Sequence, residues 1–266
     1  MSDTNSDTNI VSKSAWPVKL AKFGSAAVLI GVILAAIAGP LNRFGITGAL
    51  PALLALGIGG LLLMLGGLLA VLGFLVANSR GLALNKGRVG LAIVAALAVG
   101  TYLISTFLGA QGVPTLHEIS TDLDSPPEFV AIKAIREQNP KLNPSDYVRE
   151  LNVRGAKLNV PEAQRKAFPD IQPMLLAEAP DQIFSRVEKA VAEMGWEKIA
   201  SVPADGRIEA TDSTPFFGFK DDVVVRIRAE GAGSRVDIRS KSRVGLGDAG
   251  ANAKRVRALM AKIKAP

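Results

Sequence analysis

The sequence contains no cysteine and a single histidine, His117. The first absence excludes disulfides, thiolate metal sites and a cysteine nucleophile. The second excludes any centre that needs two imidazoles, a histidine-rich zinc site among them. Aromatic residues make up only 5% of the 266 residues, yet mean hydropathy is +0.28. High hydropathy with few aromatics is the composition of Leu/Ala/Gly membrane helices rather than of one large soluble core. Charge is missing from three long stretches, about residues 20–38, 49–76 and 90–108, apart from Lys22 at the edge of the first. Each meets or nearly meets the roughly 20 residues that cross a bilayer core. With no ionisable group in their interiors, they offer no proton relay, ion path or voltage sensor. The expectation is an all-α membrane anchor of three transmembrane helices.

Lysine and arginine then set the expected orientation. Lys13, Lys19 and Lys22 belong to the N-terminal side, Arg43 alone to the first loop, and Arg80, Lys86 and Arg88 to the second; after the third stretch none occurs until Lys133. This bias predicts a cytoplasmic N-terminus, disordered over 1–19, and places everything after residue 108 outside, in the periplasm of a cell with an inner membrane. Ala36-Ile-Ala38 resembles a signal-peptidase site, but the apolar run before it is long for a cleaved signal and Pro40 follows closely. In the second stretch Gly59, Gly66 and Gly73 recur every seven residues, as do Gly60 and Gly67. That spacing lines one helix face with small residues, suited to close packing on the other spans or on a second copy.

Residues 109–175 are broken by prolines, with helices expected from Pro127 to about Gln138 and from Pro144 and Pro161. This segment is expected to lie over a folded domain at 176–266. There a helix is predicted from Pro180 to Met194, closed by Gly195. Four strands follow at 196–202, 207–211, 222–229 and 234–243, then a helix at 249–264 with Asp248 at its start. The order α-β-β-β-β-α predicts a soluble α+β domain, an antiparallel four-stranded sheet with flanking helices. Its centre is a hairpin. Val223, Val225, Ile227, Val236 and Ile238 alternate toward a core. Arg226, Arg228, Arg235 and Arg239 take the other face, with Lys241 and Arg243 continuing the row, and are expected to face water.

Several motifs occur in order: His117-Glu-Ile-Ser-Thr-Asp122 before Pro126-Pro127, Ala167-Phe-Pro-Asp-Ile171, Glu209-Ala-Thr-Asp-Ser-Thr-Pro-Phe-Phe-Gly-Phe-Lys-Asp-Asp222, and Arg235-Val-Asp-Ile-Arg-Ser-Lys-Ser-Arg-Val-Gly245. Over roughly 113–264 they resemble domain-of-unknown-function family 1499. The resemblance implies a domain that follows bacterial membrane spans, and it implies no activity.

Three readings of function follow. In the leading one, no catalysis occurs, and the arginine row with Phe216, Phe217 and Phe219 meets an anionic envelope component or a partner protein, arginine being suited to bidentate recognition of phosphate and carboxylate. Ser240, Ser242, Arg243, Asp248 and Asn252 suggest an anion niche where the last strand meets the last helix. The second reading is a hydrolase-like enzyme using His117 with Asp122, or Asp212, Asp221 and Asp222. Those aspartates match no calcium loop, and no metal or cofactor is expected. The third is a structural subunit of an envelope complex, joined through the glycine face and the phenylalanine loop. The net charge of +7 permits nucleic acid as a partner, but an extracytoplasmic location argues against it.

Overall fold

The computed structural model describes residues 15–265, without the side chains of 106, 107 and 110. The expected disorder of the N-terminus and the position of Lys13 lie outside the described residues, whereas Trp16–Lys19 are already helical. The chain divides into two compact units, Met1–Gly109 and Ala110–Pro266.

The first unit holds α1 (Trp16–Arg43), α2 (Ala49–Ser79) and most of α3 (Lys86–Ala110). All three are long and apolar enough to cross a membrane. A helix is the form such a segment takes because it satisfies its own backbone hydrogen bonds where water is absent. The glycine stripe of α2 is used inside the chain. A Cβ at Gly59 would lie 2.8 Å from the Gly31 carbonyl oxygen, and one at Gly66 would lie 2.8 Å from that of Gly24. Gly73 meets Ala21 and Pro17 in the same way, and Gly67 meets Ala96 of α3. Gly24 and Gly31 are thus the matching stripe on α1, seven residues apart. The backbones touch along this seam, so the glycine face is not open for association with another protein.

The second unit is an α+β layer. Six antiparallel strands form its sheet, not four. Along the main path the order is β1 (Glu118–Ser120), β8 (Gly233–Ser242), β7 (Lys220–Glu230), β6 (Arg207–Ser213) and β5 (Glu197–Val202), with β4 (Met174–Leu176) also paired to β8. β1 and β4 come from the proline-broken segment. They have three residues each, too few to show an alternating pattern. They edge β8 on one side, at its two ends: Glu118 is opposite Lys241, and Met174 is opposite Val236. A separate hairpin, β2 (Glu150–Val153) and β3 (Ala156–Asn159), leads into α5 (Val160–Ala167), where Asn159 accepts a hydrogen bond from the Glu162 amide at 3.0 Å.

α6 (Pro180–Glu193) and α7 (Ala251–Lys264) cover one face of the sheet. Ile183, Val187, Val191, Val256, Leu259 and Ile263 are buried there with Val223, Val225, Val236 and Ile238 in one core. The segment between β1 and β2 covers the other face. Its helix, α4, is shorter than expected, Ala131–Glu137, and no helix starts at Pro144. Phe129 and Ile132 form a small second core with Val224.

Replacing Gly66 by leucine should cost the anchor at least about 1–3 kcal/mol by overpacking. Replacing Gly57 by leucine, where a Cβ meets nothing within 4 Å, should cost little. Thermal melting of the helical circular-dichroism signal in detergent separates the two; equal losses would contradict the seam.

Candidate functional site

The side chains of the charged face follow from strand parity and register. Arg235, Asp237, Arg239 and Lys241 of β8 share a face with Asp222, Arg226 and Arg228 of β7, Glu209 of β6 and Glu118 of β1. The row expected to face water is largely internal: Arg239 is 1% exposed and Lys241 0%. Burying such charges costs several kcal/mol each unless they are paired and fully hydrogen-bonded. Arg239 and Lys241 both pair with Glu118.

Glu118 is the hub at the β1 edge. Its Oε2 accepts from Arg239 Nε at 3.0 Å and Nη2 at 2.8 Å, while its Oε1 accepts from Lys241 Nζ at 3.2 Å and from the Val148 amide at 2.8 Å. The donors left over go to backbone oxygens of the covering segment. Arg239 donates to the carbonyls of Pro127 and Ser145, and Lys241 to that of Asp146. The rings of Phe129 and Tyr147 lie 4.9 Å and 5.5 Å from the Arg239 guanidinium carbon, an arrangement that favours a desolvated cation. Burial, with Arg239 and Arg136 nearby, pushes the Lys241 ammonium down to about 8 against the opposing pull of Glu118.

Asp222 forms a second centre. It accepts from Arg136 Nε at 2.8 Å, from Arg243 Nη2 at 2.8 Å and from the Thr211 hydroxyl at 2.7 Å. Arg136 also donates to the carbonyls of Lys241 and Asn143. Glu209 is a third centre. It pairs with Arg207 and accepts from the amides of Val130, Ala131 and Ile132, which open α4. A carboxylate suits that helix end.

The fourth centre is partly open. Asp237 accepts from Arg226, Arg228 and Arg235 at 2.9–3.0 Å, and Asp122 accepts from Arg226 at 3.1 Å and Arg235 at 2.8 Å. Three guanidinium groups therefore share two carboxylates, and Arg228 keeps 45% of its side-chain surface exposed. Arg235 borders a cavity of about 370 Å³ that Asp122, Asp124, Arg165 and Phe168 also line.

The proposed enzyme residues do not converge. Asp212 and Asp221 sit opposite each other on the helix-covered side and both bind Arg255, at 2.8 and 2.6 Å. Asp222, the next residue, points to the other face. No acidic or histidine cluster able to hold a metal ion occurs among the described residues. Asp122 is spent on Arg226 and Arg235. His117 is 3% exposed, and among the described residues neither ring nitrogen has a partner of hydrogen-bonding geometry. The Leu246 backbone close by favours its proton only weakly. Burial, and then Lys241, hold the imidazole below its ordinary value. The anion niche is also filled. The Asp248 carboxylate accepts from the amides of Gly250 and Asn252, at 2.8 and 2.7 Å, while Asn252 bonds to Ser240 and Ser242. Arg243 turns to Asp222 instead. Phe216, Phe217 and Phe219 pack on one another at the tip between β6 and β7, and Phe216 is 44% exposed.

The carboxylates Glu118, Asp237 and Glu209, with the cations Arg136 and Arg255, carry much of this arrangement, and the residue pattern does not single them out. One signal was available: parity puts Asp237 between Arg235 and Arg239 on the same face.

His117 binds a proton less readily folded than unfolded, so its contribution to stability is full above about pH 6.5 and lost as pH falls below it. In full-length chain carrying Trp16→Phe, denaturant unfolding read from buried Trp196 should show stability dropping between about pH 7 and pH 5. His117→Leu should flatten that drop. Equal slopes in the two chains would contradict the assignment.

No curated protein matches the chain. Residues 118–263 match the model of the family described as "Protein of unknown function (DUF1499)", from the Glu118 hub to the last turn of α7. That match covers more than half of the sequence, and the chain belongs to this family.

Proposed function

We propose that this is an integral protein of the bacterial inner membrane, with its N-terminus in the cytoplasm and its α+β domain in the periplasm. There the domain recognises an anionic envelope component or a partner protein and carries out no catalysis. The orientation rests on the lysine and arginine bias across the three helices. The observation that carries the recognition reading is the unequal state of the arginine row. Arg239, Lys241 and Arg243 are consumed within the fold, whereas Arg226, Arg228 and Arg235 bring three cations to two carboxylates with part of their surface in water. That surplus positive charge, beside a cavity, can accept a carboxylate or phosphate without breaking an internal pair. The dispersed aspartates and the sequestered His117 weigh against the enzyme reading.

A single cysteine at Ala229, an exposed position next to Arg228, tests both parts in a chain that has no other. A membrane-impermeant photoreactive maleimide added to spheroplasts should label it and, on illumination, capture an adduct. Arg228→Gln with Arg235→Gln should lower the adduct yield several-fold while labelling persists. Labelling only after lysis would overturn the orientation, and an adduct indifferent to the two substitutions would overturn the recognition surface.

A further inference from the structure

Two short strands share one edge of β8 and leave a gap between them: β1 pairs with residues 239–241 and β4 with residues 234–236. The chain leaving β1 crosses this gap. There the Thr121 amide donates to the Ile238 carbonyl at 2.9 Å, and the Thr121 hydroxyl accepts from the Ile238 amide at 2.8 Å. The cavity of about 370 Å³ lies at the gap, bordered by Thr121 on the β1 side and Pro173 on the β4 side. Its other walls are residues 122–124, the end of α5 and the stretch 168–172. These walls are fixed. Gln164, fully buried, accepts from the Ser120 amide at 3.0 Å and donates to the Ser120 carbonyl at 2.6 Å, which ties α5 to β1. Asp122 Oδ1 accepts from the amides of Asp124 and Ser125 at 3.1 and 2.9 Å. Asp170 accepts from Nε and Nη2 of Arg257 on α7, both at 2.6 Å, and the prolines at 169 and 173 restrict the backbone on either side of it.

We infer that this cavity binds a small molecule carrying one oxyanion head, a carboxylate or a phosphate, on an apolar body. The inference rests on the arginine-surface reading and adds to it the class of ligand and a further contact, Arg165. The lining supplies both halves. Leu123, Phe168 and Ile171, none more than 8% exposed, join Pro169 and Pro173 as apolar surface for the body. Arg235 and Arg165 supply donors for the head. Arg235 spends Nε on Asp237 and Nη2 on Asp122, and its Nη1 makes no hydrogen bond among the described residues. Arg165 reaches Asp124 through Nη2 at 3.1 Å, and the two side chains are 58% and 90% exposed. An ion pair so open to water contributes little, so Arg165 can turn to a ligand at small cost. The charge also fits. Arg165, Arg226, Arg228 and Arg235 are set against three carboxylates, Asp122, Asp124 and Asp237. That leaves one positive charge over, which a singly charged head neutralises. The cavity's volume is near the lower end of the range of about 300–1,000 Å³ for small-molecule sites, so the body is small. Every residue involved belongs to the outer domain, and the inference is independent of the side of the membrane on which that domain lies.

Isothermal titration calorimetry on the full-length chain in phosphatidylcholine nanodiscs, with empty nanodiscs as the blank, tests this. 1-Naphthoate and 1-naphthyl phosphate carry head and body together. Acetate and inorganic phosphate are the heads alone, and 1-naphthol is the body alone. At least one of the first two should bind several-fold more tightly than its own head and than 1-naphthol, and the tighter of them names the head. Arg165→Gln, at an exposed position, should weaken that binding several-fold, as should Arg235→Gln. Heads that bind as tightly without the body would overturn the inference; if Arg235→Gln then removes their binding, the arginine surface stands without the cavity. 1-Naphthol binding as tightly would overturn it too, because the guanidinium groups would play no part, and so would binding indifferent to both substitutions. No heat from any probe would likewise overturn it and leave the arginine surface to be judged by the adduct at Ala229. Denaturant unfolding followed at Trp196, in chains carrying Trp16→Phe, shows that the domain of each variant remains folded.

Discussion

The outer domain depends on one exchange: guanidinium and ammonium groups of the sheet donate to backbone carbonyls of a segment that has no regular partner of its own. Prolines keep residues 121–149 from forming a long helix or joining the sheet over most of their length. Their carbonyls, buried against a sheet face, would otherwise be stranded at a cost of about 1–3 kcal/mol each. Arg239, Lys241 and Arg226 of the sheet, with Arg136 of α4, take up the oxygens of Pro127, Ser145, Asp146, Asn143 and Ser125. The carboxylates of Glu118, Asp222, Asp122 and Asp237 in turn hold those cations in place. Removing either the cations or the carboxylates leaves the other buried and uncompensated. This makes a charge-rich sheet face a structural device rather than an open binding surface over most of its area.

The membrane unit solves the opposite problem with the opposite chemistry. Lipid gives helices no hydrophobic reason to associate, so their contact rests on close approach of backbones. Gly24, Gly31, Gly59 and Gly66 permit that approach between α1 and α2. One half of the chain is thus held by the smallest side chains it has, and the other by some of its longest. The cations around Asp122 and Asp237, at one end of the long hairpin, are the part of the arginine row that stays partly in water.

Much of this was legible in the sequence. The three apolar helices, the strands at β5 to β8 and helices α6 and α7 follow from hydropathy, period-two alternation and the proline and glycine that bound them. β1 and β4 were not legible, because three residues carry no period and their place is set by pairing with β8. The sign of the arginine row was readable, but its burial was not. Alternation says which face a side chain takes and nothing of what lies across that face, and the covering segment lacks the pattern that would announce it. The glycine stripe was visible on α2, but its use within the chain depended on Gly24 and Gly31, whose spacing of seven is easily passed over in a run without polar residues.

The central claim is that the arginine face is internal and mutually dependent with its carboxylates. A double-mutant cycle on Glu118 and Arg239 reads this directly, by denaturant unfolding of the full-length Trp16→Phe chain followed at Trp196. Glu118→Ala and Arg239→Ala should each cost about 3–5 kcal/mol, and the double substitution should fall short of their sum by about 1–3 kcal/mol. Single losses within about 0.5 kcal/mol, as for surface positions, or strict additivity of the two, would contradict it.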